Sequence, residues 1–143
     1  MERMWTSMKK IITIIVCSIS FLVISACVSK KKLILPEPET ISVISIQKKL
    51  SENVKIITKR KEISKLIEEI QKQSKSTSLE SVNDQPTNIK DYIIIKFTHQ
   101  NGANDSVVYL YTKKKRQYIE QPYAGIWELN SDIANRIEET FSS

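Results

Sequence analysis

The chain has 143 residues and carries 22 Lys and Arg against 16 Asp and Glu, which gives a net charge of +6 at pH 7. This length fits one domain and not two. The chain contains two glycines, Gly102 and Gly125, and neither GxxxxGKS/T nor GxGxxG can be written with them, so the composition excludes Gly-rich phosphate loops.

The amino-terminal segment has the layout of a secretory signal. Met8, Lys9 and Lys10 form a short basic start, and residues 11–24 (IITIIVCSISFLVI) are uncharged and mostly apolar. This run is shorter than the roughly 20 residues that a helix needs to cross a bilayer. A basic start followed by such a run is typical of a signal peptide, and translation from either Met1 or Met8 would produce it.

The apolar run ends in Ile24, Ser25, Ala26 and Cys27, which resemble a bacterial lipobox. In a lipobox the cysteine thiol receives diacylglycerol and a peptidase then cleaves before it, with small residues allowing the enzyme to approach. The alternative is a cysteine that follows an ordinary signal peptide or membrane anchor by chance. We expect residues 1–26 to be a lipoprotein signal peptide and Cys27 to anchor the chain at the extracytoplasmic face of the cell membrane, because two acyl chains suffice for stable anchoring.

Both cysteines are then accounted for, since Cys17 leaves with the signal peptide and Cys27 carries the lipid. The mature chain would have no free thiol, disulfide or thiolate ligand. His99 is the only histidine and has no HxxE or HxH partner, so we expect neither a metal site nor a cofactor.

Residues 27–40 predict a lipidated, extended tether. Lys30, Lys31 and Lys32 open it, and each can add about 1 kcal/mol near anionic lipid, although a plain solvated spacer has the same composition. Pro36 and Pro38 favour a stiff, extended chain. We expect this tether to lift a single domain, residues 41–143, off the lipid headgroups.

The first part of the domain predicts two strands and a helix. Residues 41–47 (ISVISIQ) and 54–57 (VKII) are rich in β-branched side chains. Thr58 is the predicted cap of the following helix. That helix carries one apolar stripe at helical period, formed by Ile63, Leu66, Ile67 and Ile70.

The second part predicts a loop, a meander and a last helix. Residues 74–91 are polar and indicate a long loop. Residues 92–98, 106–112 and 117–121 are predicted strands, and residues 126–129 a short extended piece. Asn130 or Ser131 would cap the last helix. The order β-β-α-β-β-β-α predicts an α+β fold, with an antiparallel sheet of about five strands against one or two helices.

Several blocks of this sequence resemble a known family. Residues 81–86 (SVNDQP), 92–95 (YIII), 109–111 (YLY) and 118–127 (YIEQPYAGIW) are similar to the signature blocks of small lipoproteins from low-GC Gram-positive bacteria, the domain of unknown function 5301. The resemblance implies lipoprotein status and a Gram-positive host. It implies no activity.

Five aromatic residues are the leading candidates for a binding surface: Tyr109, Tyr111, Tyr118, Tyr123 and Trp127. Tyr and Trp are enriched at binding hot spots. In the alternative, which we favour, these rings pack against the helix stripe and cover one face of a small sheet.

The sequence leaves three classes of function open. The first is a non-catalytic module that binds a peptide, an envelope component or a membrane-protein partner. The second is a hydrolase of wall material that uses carboxylates such as Asp84 and Glu120, although no spacing pairs them. The third is a structural envelope protein. Nucleic acid is not an expected partner, because export and a charge of only about +4 after loss of Glu2, Arg3, Lys9 and Lys10 argue against it.

Overall fold

The computed structural model describes residues 3–4 and 30–141. The chain divides into two compact units, Met1–Lys30 and Lys31–Ser143. Apart from Arg3 and Met4, the predicted signal peptide lies outside the described residues, as do all of the predicted lipobox residues: Ile24, Ser25, Ala26 and Cys27. Within residues 3–4 and 30–141, no helix has the length and apolar character needed to span a membrane.

The second unit is built on one seven-stranded sheet in which every neighbouring pair is antiparallel. The strands follow the order β2-β1-β4-β5-β6-β7-β3. Their bounds are β1 Ile41–Lys48, β2 Val54–Ile57, β3 Ser74–Ser76, β4 Ile93–His99, β5 Ser106–Lys113, β6 Arg116–Gln121 and β7 Gly125–Leu129. Two helices, α1 (Arg60–Lys72) and α2 (Ser131–Glu139), and a short 3-10 helix, Pro38–Thr40, complete the unit.

One face of the sheet packs against both helices. Because side chains alternate between the faces of a strand, the apolar positions of β1, β4, β5, β6 and β7 enter this core together with the stripes of α1 and α2. Its members include Ile44, Ile46, Ile95, Phe97, Leu110, Ile119, Trp127, Ile63, Ile67, Ile70, Ile133 and Ile137. Burying one such side chain contributes about 1.5–3 kcal/mol, so this face holds the unit together.

The opposite face of the sheet carries a second, smaller cluster. Tyr92, Tyr109 and Tyr111 are buried there, with Ile89 and Tyr118 packed against them. The rings of Tyr92 and Tyr109 meet edge to face at 5.2 Å between centroids. Residues 77–92, the polar segment between β3 and β4, lie on this face and bury Ser81 and Pro86. We call this segment the cover and the face beneath it the covered face.

The predicted α+β class is confirmed, but the predicted sheet of about five strands is wrong in number and order. β3 (Ser74–Ser76) lies inside the predicted loop, and β7 is a full strand of the sheet. The sequence SKS of β3 has no apolar residue and therefore no alternating pattern that would predict a strand. Its extended form depends on backbone pairing with β7. At α1 the cap position is Lys59, not Thr58, and no side chain caps it. At α2 the predicted cap Asn130 is confirmed, since its side chain accepts a hydrogen bond from the amide of Asp132 at 2.8 Å.

The predicted tether differs from the structure over residues 31–40, which belong to the domain. Leu33 and Leu35 are only 2 % and 3 % exposed and lie in the helix-side core, whereas Ile34 between them is 72 % exposed. The amide of Gln121 donates a hydrogen bond to the carbonyl of Ile34 at 3.2 Å. The buried leucines make this segment part of the core, and the second compact unit begins at Lys31 instead of at the predicted residue 41.

Candidate functional site

A buried polar cluster fastens the cover to the sheet. Glu120 of β6 is 5 % exposed, and Ser81 is 6 % exposed. The Ser81 hydroxyl donates to Oε1 of Glu120 at 2.7 Å, and the Tyr111 hydroxyl donates to Oε2 at 3.0 Å. Hydrogen bonds to a charged group contribute about 1.5–3 kcal/mol each, so these two donors offset part of the cost of burying the carboxylate.

Tyr111 is held as a proton donor in this cluster. Burial raises the pKa of Tyr111 well above its ordinary value, and the negative charge and hydrogen bond of Glu120 raise it further. The phenol therefore stays protonated at any physiological pH. Both carboxylate oxygens of Glu120 already accept hydrogen bonds. The carboxylate is therefore better suited to holding the cover on the sheet than to transferring a proton to a substrate.

Two further contacts bring the cover and the sheet together. The exposed Tyr123 donates from its hydroxyl to Oδ1 of Asp84 at 2.9 Å, and this bond together with the carboxylate charge raises the pKa of Tyr123. The hydroxyl of Tyr92 donates to Oε1 of Gln85 at 2.7 Å. Residues 81–86 and 118–127, which are far apart in the chain, are therefore in direct contact in the fold.

A groove opens beside this cluster, at the end of the sheet where β1 and β5 finish and β4 begins. A cavity of about 780 Å³ is bounded by Lys48, Tyr92, Tyr111, Lys113 and Lys114, among other residues. A second cavity of about 410 Å³ shares Ile89, Tyr111, Lys113 and Lys114 with the first and continues along the covered face. The two cavities form one groove, which we call the lysine groove.

Sequence and structure comparisons place the chain among known domains. The family DUF5301, described as "Domain of unknown function (DUF5300)", matches residues 29–128. The chain belongs to the DUF5301 family. This match confirms the resemblance drawn from the sequence blocks; the lipoprotein character and the Gram-positive host stay predictions.

A solved structure has a similar fold to this DUF5301 domain. It is the NMR structure of a protein from Ruminococcus gnavus, with a TM-score of 0.58 and 28 % sequence identity. The similarity covers 71 % of this chain and 98 % of the other. No curated protein matches the sequence. The comparisons therefore define a family and a fold without attaching an activity to either.

The lysine groove of this DUF5301 domain has a positive rim. Lys48 forms an ion pair with Asp91 at 3.1 Å. Lys90, Lys113 and Lys114 also line the groove, and within residues 30–141 none of them forms an ion pair. The acidic side chains in the lining are Asp91 and Glu138 in the first cavity and Glu80 and Glu120 in the second, and Glu120 already accepts two hydrogen bonds. An anionic group that enters the groove would meet unpaired ammonium groups.

The turn that presents these lysines is strained. β5 and β6 are joined by a two-residue turn in which Lys114 and Lys115 both have positive φ, 50° and 65°. Such turns favour Asn-Gly or Gly-Gly, because other residues pay a steric cost of roughly 1–2 kcal/mol each in the left-handed region. The chain thus keeps two long cations where short residues would be more stable, a pattern found at functional sites.

The five predicted aromatic residues do not form one surface. Trp127 lies in the helix-side core, where its indole N–H donates to the carbonyl of Lys31 at 2.8 Å. Tyr109 and Tyr111 are buried on the opposite face, and Tyr118 stacks on Tyr111 with 6.0 Å between ring centroids. Only Tyr123 is exposed. The packing alternative is therefore right in placing Trp127 against the helices, whereas Tyr109, Tyr111 and Tyr118 pack on the face opposite the helices. Lys113 and Lys114, which follow a predicted strand, were not among the predicted site residues.

The remaining predicted candidates have structural contacts. Asp84 and Glu120 accept hydrogen bonds from different partners and are not joined to each other by one. His99 is half-buried, with its Nε2 3.0 Å from the hydroxyl of Ser106. In the described part of the chain, no group of three or more His, Cys, Asp or Glu side chains is arranged to hold a metal ion.

Proposed function

We propose that the mature chain is an extracytoplasmic lipoprotein, anchored to the cell membrane by diacylglycerol on Cys27. Its DUF5301 domain acts there as a non-catalytic binding module for a peptide segment of an envelope partner. The sequence of residues 8–27 supports the anchor. The lysine groove supports the binding role.

The unpaired lysines of the groove carry the binding proposal. Lys113 and Lys114 line both cavities, and neither has an anionic partner within residues 30–141. Ammonium groups bind carboxylates through short, charge-assisted hydrogen bonds. Tyr111 and Ile89 add apolar surface between the two cavities, as is typical of ligand sites that combine apolar walls with a few polar groups.

A peptide can contact more of the groups that line the groove than a simple anion can. The groove offers the ammonium groups of Lys113 and Lys114 together with apolar surface from Tyr111 and Ile89. A peptide brings acidic side chains for the first feature and apolar side chains for the second, so an acidic peptide segment is the ligand class that fits both features.

The contacts of Glu120 and Asp84 favour binding over hydrolysis. A glycosidase needs two carboxyl groups that flank one bond, one as acid and one as base or nucleophile. Glu120 is instead buried under Ser81 and Tyr111, and Asp84 accepts from Tyr123. These contacts serve to position the cover over the sheet.

Fluorescence anisotropy with labelled peptides tests the binding role on the purified mature protein. We expect a set of Asp- and Glu-containing peptides to bind, and the same sequences with Asn and Gln to bind weakly. Lys113→Ala with Lys114→Ala should weaken binding of the acidic set by about tenfold, which corresponds to about 1.4 kcal/mol. Raising the salt concentration should weaken it further.

Lys61→Ala with Lys65→Ala is the matched control, since both lysines are exposed on α1 and lie outside the groove. This pair removes the same charge and should leave binding unchanged. Equal binding of the acidic and neutral peptides would reject the groove as an anionic-peptide site, as would equal losses in the two double variants.

The anchor has its own test in cells. Globomycin, which blocks the lipoprotein signal peptidase, should cause a heavier precursor to accumulate. Cys27→Ser should abolish incorporation of labelled fatty acid, whereas Cys17→Ser should not. An unmodified Cys27 thiol in protein isolated from membranes would reject the anchor.

A further inference from the structure

The short chain between the anchor and the domain restricts how the domain can stand on a membrane. The restriction depends on the proposed lipidation of Cys27. Only Val28, Ser29 and Lys30 separate Cys27 from Lys31, the first residue of the second compact unit. A fully extended chain spans at most about 3.6 Å per residue, so Lys31 lies within about 14 Å of the acylated cysteine.

Lys31 is fixed to one end of the sheet. The indole N–H of Trp127 donates to its carbonyl at 2.8 Å, and its ammonium donates to the carbonyl of Ala124 at 3.1 Å. Three residues further on, the carbonyl of Ile34 accepts from Gln121. Gln121 is the last residue of β6, and Ala124 lies in the turn between β6 and β7. This turn is therefore the end of the domain nearest to the lipid anchor.

The surface around this turn has the composition of a membrane interface. Ile34, Val82 and Tyr123 are 72 %, 66 % and 67 % exposed. Val82 borders this surface where the second cavity of the groove reaches it, and its neighbours in the cover, Ser81 and Asp84, bond to Glu120 and Tyr123. We call Ile34, Val82 and Tyr123, with Lys31 and Lys32, the turn patch.

The turn patch combines apolar side chains, an amphipathic ring and cations. Tyr is enriched at the headgroup level of membranes, because its ring is apolar and its hydroxyl is polar. Lys31 and Lys32 are exposed and can attract anionic headgroups, each contributing about 1 kcal/mol. The one carboxylate bonded within the patch, Asp84, already accepts a hydrogen bond from Tyr123.

We infer that the turn patch is a membrane-docking surface that lies on the phospholipid headgroups next to the anchor. The second cavity of the groove reaches Val82, but the lysines of the groove lie at the other end of the strands, since Lys113, the last residue of β5, pairs with Arg116, the first residue of β6. β6 has six residues, and a rise of about 3.4 Å per residue places its two ends about 17 Å apart. The docked domain therefore holds the lysine end of the groove, with the first cavity, away from the membrane and open to partners.

Site-specific quenching tests this orientation on the full mature lipoprotein. The protein is reconstituted into vesicles of phosphatidylglycerol and phosphatidylcholine that contain a headgroup-nitroxide lipid. Single thiols are introduced by Ile34→Cys and Val82→Cys in the patch, and by Leu50→Cys at the opposite end as the control, where the native side chain is 76 % exposed. A fluorophore on residue 34 or 82 should lose most of its emission, and one on residue 50 should keep most of it.

The unsubstituted mature protein separates this inference from the proposed anchor. With Cys27 acylated it has no free thiol and takes up no label, whereas uptake of one label would show that the anchor itself is wrong. If Cys27 is acylated and residues 34, 50 and 82 are quenched alike, or none is quenched, the docking surface is overturned. In a second variant, Ile34→Glu with Tyr123→Glu should relieve quenching at residue 82 while the lipid remains attached; unchanged quenching would also overturn it.

Discussion

The hydroxyl of Ser81 donates a hydrogen bond of 2.7 Å to the carboxylate of Glu120, 39 residues further along the chain. This bond joins the cover to the central part of the sheet, and it connects the two sequence blocks on which the family resemblance depends. Because the acceptor is a buried carboxylate, loss of the donor leaves an acceptor that solvent cannot easily reach.

Ser81→Ala should therefore destabilise the domain by about 1–3 kcal/mol, the cost of leaving a buried charged acceptor unsatisfied. Urea denaturation monitored by circular dichroism measures the free energy of unfolding. Ser78→Ala, at an exposed position nearby, should change it by less than about 0.5 kcal/mol. Equal effects of the two substitutions would contradict a stabilising role for the hydrogen bond between Ser81 and Glu120.

Because the domain begins at residue 31, substitutions at neighbouring residues of its first segment should change stability by very different amounts. Leu33→Ala and Leu35→Ala should each cost about 2–5 kcal/mol, since both side chains are buried in the helix-side core. Ile34→Ala, between them, removes an exposed side chain and should be nearly neutral. Thermal unfolding of the three variants checks this. Uniformly small effects would restore the tether interpretation of residues 31–40.

Stability should fall at alkaline pH because of Tyr111. Burial raises the pKa of Tyr111 in the folded state, whereas in the unfolded chain the phenol ionises near its ordinary value of about 10. Above that pH the unfolded state loses a proton that the folded state keeps, so stability decreases by up to about 1.4 kcal/mol per pH unit. Tyr109, whose pKa is also raised mainly by burial, acts in the same direction.

Tyr111→Phe should flatten this alkaline loss while lowering stability at pH 7, because Glu120 loses one donor. Tyr118→Phe is the matched control, since this ring stacks on Tyr111 and its hydroxyl makes no hydrogen bond within residues 30–141. Unfolding by urea at a series of pH values up to about 11 measures both effects. An unchanged alkaline slope in Tyr111→Phe would show that the phenol is not the group responsible.

The strained turn predicts a trade between stability and binding. Lys114→Asn with Lys115→Gly should stabilise the domain by about 1 kcal/mol or more, because both replacements tolerate positive φ. The same variant should bind acidic peptides more weakly, since it removes an ammonium group from the groove. Calorimetry and anisotropy measure the two quantities. A variant that is stabilised and binds as before would show that the strain serves no ligand.

Local sequence patterns predict much of the fold. The stripe of Ile63, Ile67 and Ile70 fixes the buried face of α1, and the Asn130 cap fixes the start of α2. The β-branched runs of β1 and β4 identify strands without any knowledge of their partners. These features depend on residues a few positions apart, and so the sequence alone was enough to predict them.

The arrangement of the candidate site depended on the register between strands. Pairing of Ile119 with Trp127 turns the indole towards the helices, whereas pairing of Tyr111 with Tyr118 puts those rings on the covered face. A shift of one residue would reverse these faces, and no local pattern specifies it.

The sequence by itself determined the two helices, most of the strands, the α+β class and the family resemblance, because each follows from short-range periodicity or from contiguous blocks. Only the tertiary structure decided that residues 31–40 join the domain, that β3 completes the sheet, and that Ser81 meets Glu120. These depend on contacts between distant parts of the chain, where backbone pairing and burial outweigh local propensity.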